Sequence, residues 1–325
     1  VKDKKNMKEL EQNLRRIAAE KKDPEAQYML GYFYYEGRDF RQDDNEAARW
    51  MKLAAAQGHA NAQHALGLLY FDGYGVPADM ETAVKWFRRA AEQGVAEAQT
   101  KLGHAYLDGL GVAQDRAAAA KWYALAAEQG EAESQYNLGL MHQIGEDVDK
   151  DLEAAAKWFA RAAEQGDSAA QVRLGMMFGE GKGVDRDEGA SIRWLTLSAE
   201  QGEPIGQYLL GSAYASGRGV AQDPEQAVKW LRLSAEQGYV EAQMLISEIS
   251  GKGLMGVAED LEESARWCRL AAEQGDVRAQ LRMAEICSQG LGVARDDAEA
   301  DRWRKRAEEG MGDLRAILRK IGNIG

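Results

Sequence analysis

Glutamine recurs through this chain at a fixed interval: Gln27, Gln63, Gln99, Gln135, Gln171, Gln207, Gln243 and Gln280 stand 36 residues apart, with a single step of 37. All eight tryptophans keep the same interval, at Trp50, Trp86, Trp122, Trp158, Trp194, Trp230, Trp267 and Trp303. Chance does not place every tryptophan in one column, so the chain is eight copies of one unit and its fold must repeat with it.

Each copy reads as two helices. In the second copy, apolar or small residues at 62, 66, 69, 70 and 73 have helical spacing, as do those at 83, 86, 87, 90 and 91. Gly37, Gly73, Gly109, Gly145, Gly181, Gly217, Gly253 and Gly290 stand where the first helix should stop, since glycine accepts the left-handed C-cap conformation. Asp43, Asp79, Asp115, Asp151, Asp187, Asp223, Asp260 and Asp296 then open the second helix, where a carboxylate caps free N–H groups. Pro24, Pro204 and Pro224 fall in first turns and Pro77 in a loop, where a missing N–H costs little. Glycine inside a helix costs about 1 kcal/mol relative to alanine. Gly31, Gly67, Gly103, Gly139, Gly175 and Gly211 inside the first helix therefore predict close helix approach.

A pair of short helices cannot bury its own apolar face, so neighbouring copies must stack and the ends need caps. Residues 1–22 predict an N-terminal capping helix, with Leu14 in the tryptophan position and Ile17-Ala18-Ala19 matching the later Leu-Ala-Ala. Residues 23–310 are the eight repeats, and residues 311–325 predict a C-terminal capping helix that docks Leu314, Ile317, Leu318 and Ile321 on the last repeat. No linker or second periodicity divides the chain, which reads as one continuous all-α domain.

The columns Ala-Gln-x-x-Leu-Gly-x-x-Tyr, Gly-x-Gly-Val-x-x-Asp, Ala-x-x-Trp and Ala-Ala-Glu-Gln-Gly resemble the Sel-one-like repeat (SLR) family, a longer relative of the tetratricopeptide repeat. The best copies are Ala98 to Gly130 and Gly206 to Gly238. The resemblance implies a right-handed α/α superhelical solenoid of eight 36-residue helix-turn-helix repeats. It implies an adaptor in signalling, envelope assembly or host contact, largely in bacteria, and no shared reaction. Asp39 and Asp147 replace the second loop glycine, and the seventh repeat carries one extra residue around Leu254-Met255, departures that concern loop geometry. The intra-repeat cysteine pairs of some family members are absent.

The formal net charge of −12 argues against a broad nucleic-acid or anionic-membrane footprint, which needs clustered Lys and Arg, and favours a basic partner. No apolar stretch has the length of a membrane span, so no membrane insertion is expected. The chain starts at Val1, so a removed export signal remains open. The expected location is periplasmic or secreted in a bacterium, with the cytoplasm as the alternative.

The site motifs that tempt are structural. Gly73-Tyr74-Gly75-Val76 and Gly217-Arg218-Gly219-Val220 never continue into the Gly-Lys-Ser/Thr of a phosphate-binding loop. His59, His64, His104 and His142 occupy four different columns, so no metal is expected. No nucleophile elbow or Cys–His spacing is present, so neither catalysis nor a cofactor is expected. Cys268 and Cys287 replace apolar residues on adjacent helices and read as two buried free thiols rather than a disulfide.

Function is expected in a groove. On a helical wheel, positions one, five and eight after each Gln lie opposite the recurring Leu and Tyr, and they vary between copies. They are Tyr28, Tyr32 and Tyr35; His64, Leu68 and Phe71; Thr100, His104 and Leu107; then Tyr136, Leu140, Met176 and Tyr208. In solenoids of this kind first helices line the concave wall, so this stripe predicts a partner-binding surface rich in tyrosine, a residue favoured at interfaces. The alternative is that these side chains pack on the neighbouring helix. The leading function is a non-enzymatic protein–protein interaction scaffold. An immunity protein neutralising a secreted toxin and a cell-wall-acting enzyme are the alternatives.

Overall fold

A computed structural model describes the backbone of residues 2–37, 40–145 and 148–322, and the side chains of residues 9–312 within them. Asp39 and Asp147, the departures at the second loop glycine, lie outside the described residues. Every described element is helical. α1 (Lys2–Arg16) runs into a π-helical turn, Ile17–Lys21. α2 (Pro24–Glu36) with α3 (Asp44–Ala56), α4 (Ala60–Asp72) with α5 (Met80–Glu92), α6 (Ala96–Asp108) with α7 (Arg116–Glu128), and α8 (Ala132–Ile144) with α9 (Leu152–Glu164) form four repeats. Four more follow: α10 (Ser168–Glu180) with α11 (Glu188–Glu200), α12 (Pro204–Ser216) with α13 (Pro224–Glu236), α14 (Val240–Lys252) with α15 (Leu261–Glu273), and α16 (Val277–Gln289) with α17 (Asp297–Gly322). The first four repeats lie in one compact part, Val1–Gln165, and the last four in a second, Gly166–Gly325.

Helix boundaries obey the capping chemistry. Asp115 Oδ1 accepts from the Ala118 N–H at 2.9 Å, and the equivalent aspartates do the same at each second helix. Each C-cap glycine has a positive φ, from 61° to 81°. The glycine inside the first helix is a steric requirement: a Cβ on Gly67 would lie 2.5 Å from Phe87 Cε1, and one on Gly103 would lie 2.6 Å from Tyr123 Cε1. The second loop glycine serves stacking. A Cβ on Gly75 would fall 1.9 Å from the Asp44 carbonyl oxygen, so the loop of repeat two rests on the start of α3 in repeat one.

Within each compact part, burial crosses from one repeat to the next. Ala90 and Ala91 of repeat two form a core with Ala98, Leu102 and Ala105 of repeat three, and Trp122 of repeat three packs on it. Trp50 is likewise buried against α1, α2 and the N-terminal turn.

The recurring glutamine forms a ladder with a second glutamine. Gln63 Nε2 donates to the Ala55 carbonyl at 3.2 Å, while its Oε1 accepts from Gln93 Nε2 at 2.7 Å. The same two bonds recur around Gln99 and Gln135 and, beyond them, around Gln207 and Gln243. Each buried amide is thereby satisfied by its neighbour, as a buried polar group requires.

Both ends differ from the expected caps. At the N-terminus, the π-helical turn inserts one residue into the register. Gln27 therefore bonds the Ala18 carbonyl, nine residues back rather than eight, and Ala19, expected to match the buried Ala55, is exposed. Lys22, at φ 53°, takes the left-handed place that glycine holds in later repeats. At the C-terminus no separate capping helix begins, because α17 continues unbroken to Gly322. Gly310 and Met311 stand where other repeats have the Gln-Gly that ends a second helix. Met311 stays within α17, whereas Lys22, at the same column, takes the left-handed turn that ends its helix. Leu314, Ile317, Leu318 and Ile321 are side chains outside the described range.

Candidate protein-binding groove

The first helices α2 and α4, with the start of α6, enclose a cavity of about 280 Å³ lined by Tyr28, Tyr32, Tyr35, Met51, Asn61, His64, Ala65, Leu68, Leu69 and Glu97. Five of the sequence-predicted stripe residues meet here: Tyr28, Tyr32, Tyr35, His64 and Leu68. Tyr32 and Tyr35 are 44% and 37% exposed, and Phe71, outside the cavity, is 40% exposed. Large aromatic side chains left open on a packed helix face are not required by the repeat.

Position one after the Gln does not behave as the wheel predicts. Tyr28 stacks on His59 at 4.7 Å between ring centroids, Tyr208 lies 5.2 Å from Tyr239, and Thr100 is buried with its hydroxyl 2.8 Å from Ser134 Oγ. Those side chains wedge against the start of the next first helix, because helices packed this closely leave the flank of the wheel no solvent. His104 is also held within the fold, 2.8 Å from the Tyr123 hydroxyl and 3.0 Å from Glu133. Leu107 packs beside the core around Tyr123, Tyr136 lies 5.8 Å from Phe159, and Leu140 is half-buried. Met176 remains 37% exposed, at a separate cavity of about 360 Å³ with Leu195 and Leu209. Tyr208 lines another, of about 520 Å³, where Glu248 and Lys252 pair at 2.6 Å and Arg282 and Glu285 at 2.5 Å.

The electrostatics of the first cavity are acidic. Burial, then Tyr32, Glu25 and Glu97, raise the Tyr28 phenol above its ordinary value. Burial, then Asp72 and other nearby acids, do the same for Tyr35. Burial lowers His64 below the usual imidazole value against the pull of Glu97, and its buried Nε2 has no hydrogen-bond partner. Glu97, which the helical wheel did not select, makes no ion pair or hydrogen bond among the described residues. Its signal in sequence is the acid two residues before the Gln, shared with Glu25 and Glu133.

Cys268 and Cys287 are buried free thiols in the core between α15, α16 and α17, in agreement with their replacing apolar residues. Among the described residues no group of three or more His, Cys, Asp or Glu could hold a metal ion, and no helix is long and apolar enough to cross a membrane.

Paired helices stacked by a repeating core, with variable side chains on the first helices, define an α/α repeat solenoid. The chain belongs to the Sel1 repeat family, whose model matches residues 24–59, 60–95, 96–131, 132–167, 168–203, 204–239, 240–276 and 277–309. It is similar to a protective antigen of uropathogenic Escherichia coli strains that displays an SLR fold, with 36% identity and a TM-score of 0.81 over 95% of this chain and 67% of that one. It is also similar to a Sel1 repeat protein from Oxalobacter formigenes, with 32% identity and a TM-score of 0.73 over 94% of this chain and 89% of that one. Among curated proteins none matches the chain. Sel1 repeat proteins generally mediate protein–protein interaction and are generally not catalysts.

Proposed function

We propose that this chain is a non-enzymatic scaffold that binds a segment of another protein in the groove between α2 and α4. The observation that carries this reading is the cavity there, walled by three tyrosines of which Tyr32 and Tyr35 stay open to solvent. Tyrosine buries a large amphipathic area with few rotatable bonds, which suits an interface anchor. The net charge of −12 supports a basic partner. The likeness to a protective antigen supports an envelope or secreted location.

The test is affinity capture with mass spectrometry, followed by titration of the recovered partner against wild-type protein and a Tyr32→Ala/Tyr35→Ala/Phe71→Ala variant. The variant keeps its helical circular dichroism and loses affinity, with each anchor costing on the order of 2 kcal/mol. Unchanged affinity in the folded variant removes this groove as the site.

A further inference from the structure

We infer that the cavity between α2, α4 and α6 is a receptor for one arginine side chain of the bound protein, an inference that rests on the groove reading above. Size is the first argument. At about 280 Å³ the cavity falls at the lower limit of pockets that enclose a whole small molecule, so it suits a single inserted side chain. The second argument is the wall. Tyr28 already has one ring face covered by His59, so the open aromatic surface belongs to Tyr32 and Tyr35. A guanidinium stacks on such rings through the ring quadrupole.

Charge decides the sign of the guest. Glu97 is the one charged residue lining the cavity; it is exposed, and it is without an ion pair among the described residues. The neighbouring acid Glu25 is already bound to His59 at 3.0 Å, and Glu133 is bound to His104 at 3.0 Å, so Glu97 is the carboxylate left to receive a cation. The field of Glu25, Glu97, Asp72 and Asp44 on the tyrosines agrees with that sign. The nearby cation is Lys101, which acts on His64 from α6. His64 stands in the same wall, where burial favours its neutral ring, so it sets no positive charge against a cationic guest. Arginine fits this set better than lysine because its planar fork can reach a carboxylate and stack on a ring at once.

The test needs no identified partner. The full chain, with labelled tyrosine and histidine, is titrated by NMR with N-acetyl-arginine methylamide, with the lysine analogue, and with the neutral isostere N-acetyl-citrulline methylamide. The arginine probe should shift the Tyr32, Tyr35 and His64 signals saturably at millimolar concentration, as befits a single side chain. Glu97→Gln, an exposed change that leaves the core intact, should weaken this binding about tenfold, and citrulline should bind no better than that variant does. Equal binding of arginine and citrulline, no saturable shift, or indifference to Glu97→Gln overturns the inference, as does tighter binding of the lysine probe. A captured partner that is lost from the tyrosine variant while the arginine probe gives no shift keeps the groove and removes the arginine. A partner indifferent to the tyrosine variant removes the groove, whatever the probe does.

Discussion

The side-chain amide of Gln57 donates to the side-chain carbonyl of Gln27 at 2.7 Å, joining the end of α3 to the start of α2 within one repeat. Gln27 in turn donates to the Ala18 carbonyl, so the pair ties the first repeat to the turn before it. The eighth repeat has no such pair: Gly310 stands in the donor position, and Gln280 Oε1 is buried without a partner.

Gln129→Ala should cost about 1–3 kcal/mol, because it leaves the buried Gln99 Oε1 unpaired although Gln129 itself is exposed. Gly310→Gln should do the reverse, adding about 1 kcal/mol through helix propensity and a donor for Gln280. Urea denaturation of both variants measures the two effects, and a stabilised Gln129→Ala protein would contradict the ladder.

Tryptophans at the two ends of the array differ from those in its middle. Trp267 is 5% exposed and donates to Glu263, whereas Trp122 is half-buried against Val112 and the Leu102 core. Trp267→Ala should cost about 3–5 kcal/mol and Trp122→Ala about 2–3 kcal/mol, because less area leaves water at Trp122. Hydrogen exchange should confine the Trp122→Ala loss to repeats two and three, whose shared core Trp122 covers, since contacts in a repeat array run between neighbours. Loss of protection over every repeat would refute that locality.

Glu263 should make stability depend on acid. Arg232 holds its carboxyl at about 2, with Ser250 and Trp267 adding hydrogen bonds against the effect of burial. A folded value below the unfolded one stabilises fully above the ordinary carboxylate range, and that stabilisation fades as pH falls through about 2. Glu263→Gln should therefore lower stability by about 1–2 kcal/mol near neutrality. The gap from wild type should close on acidification, read as denaturant midpoints between about pH 6 and pH 3. A gap of constant size would mean that the charge contributes nothing.

Thiol labelling should be slow in the native protein. Burial pushes Cys268 up to about 12 and raises Cys287 as well, so neither supplies much of the reactive thiolate at neutral pH. A thiol reagent added to reduced protein should react at the rate of unfolding of the last repeats, and immediate labelling of either cysteine would refute their burial.

Period, capping and helix count were legible in the sequence because they are local: an aspartate or a glycine acts within one turn of its own backbone, and its column repeats. Gly67 announced close approach for the same reason, since a costly residue kept at one position must be required there. The ends were less legible. The π-helical turn at Ile17–Lys21 and the unbroken α17 fall where the column breaks down, Lys22 and Met311 standing in place of the glycine that ends the other second helices, and the two ends resolve that loss differently. The groove was legible in part. Tyr32, Tyr35 and Leu68 stood out by variation on one helical face, yet the same wheel also selected Thr100 and His104, which the fold uses internally. A wheel places a side chain around one axis and carries nothing about how near the next helix comes. Only the tertiary structure decided that Tyr28 wedges on His59 and that Glu97, from a third helix, reaches the tyrosine cavity, because both follow from distances between repeats.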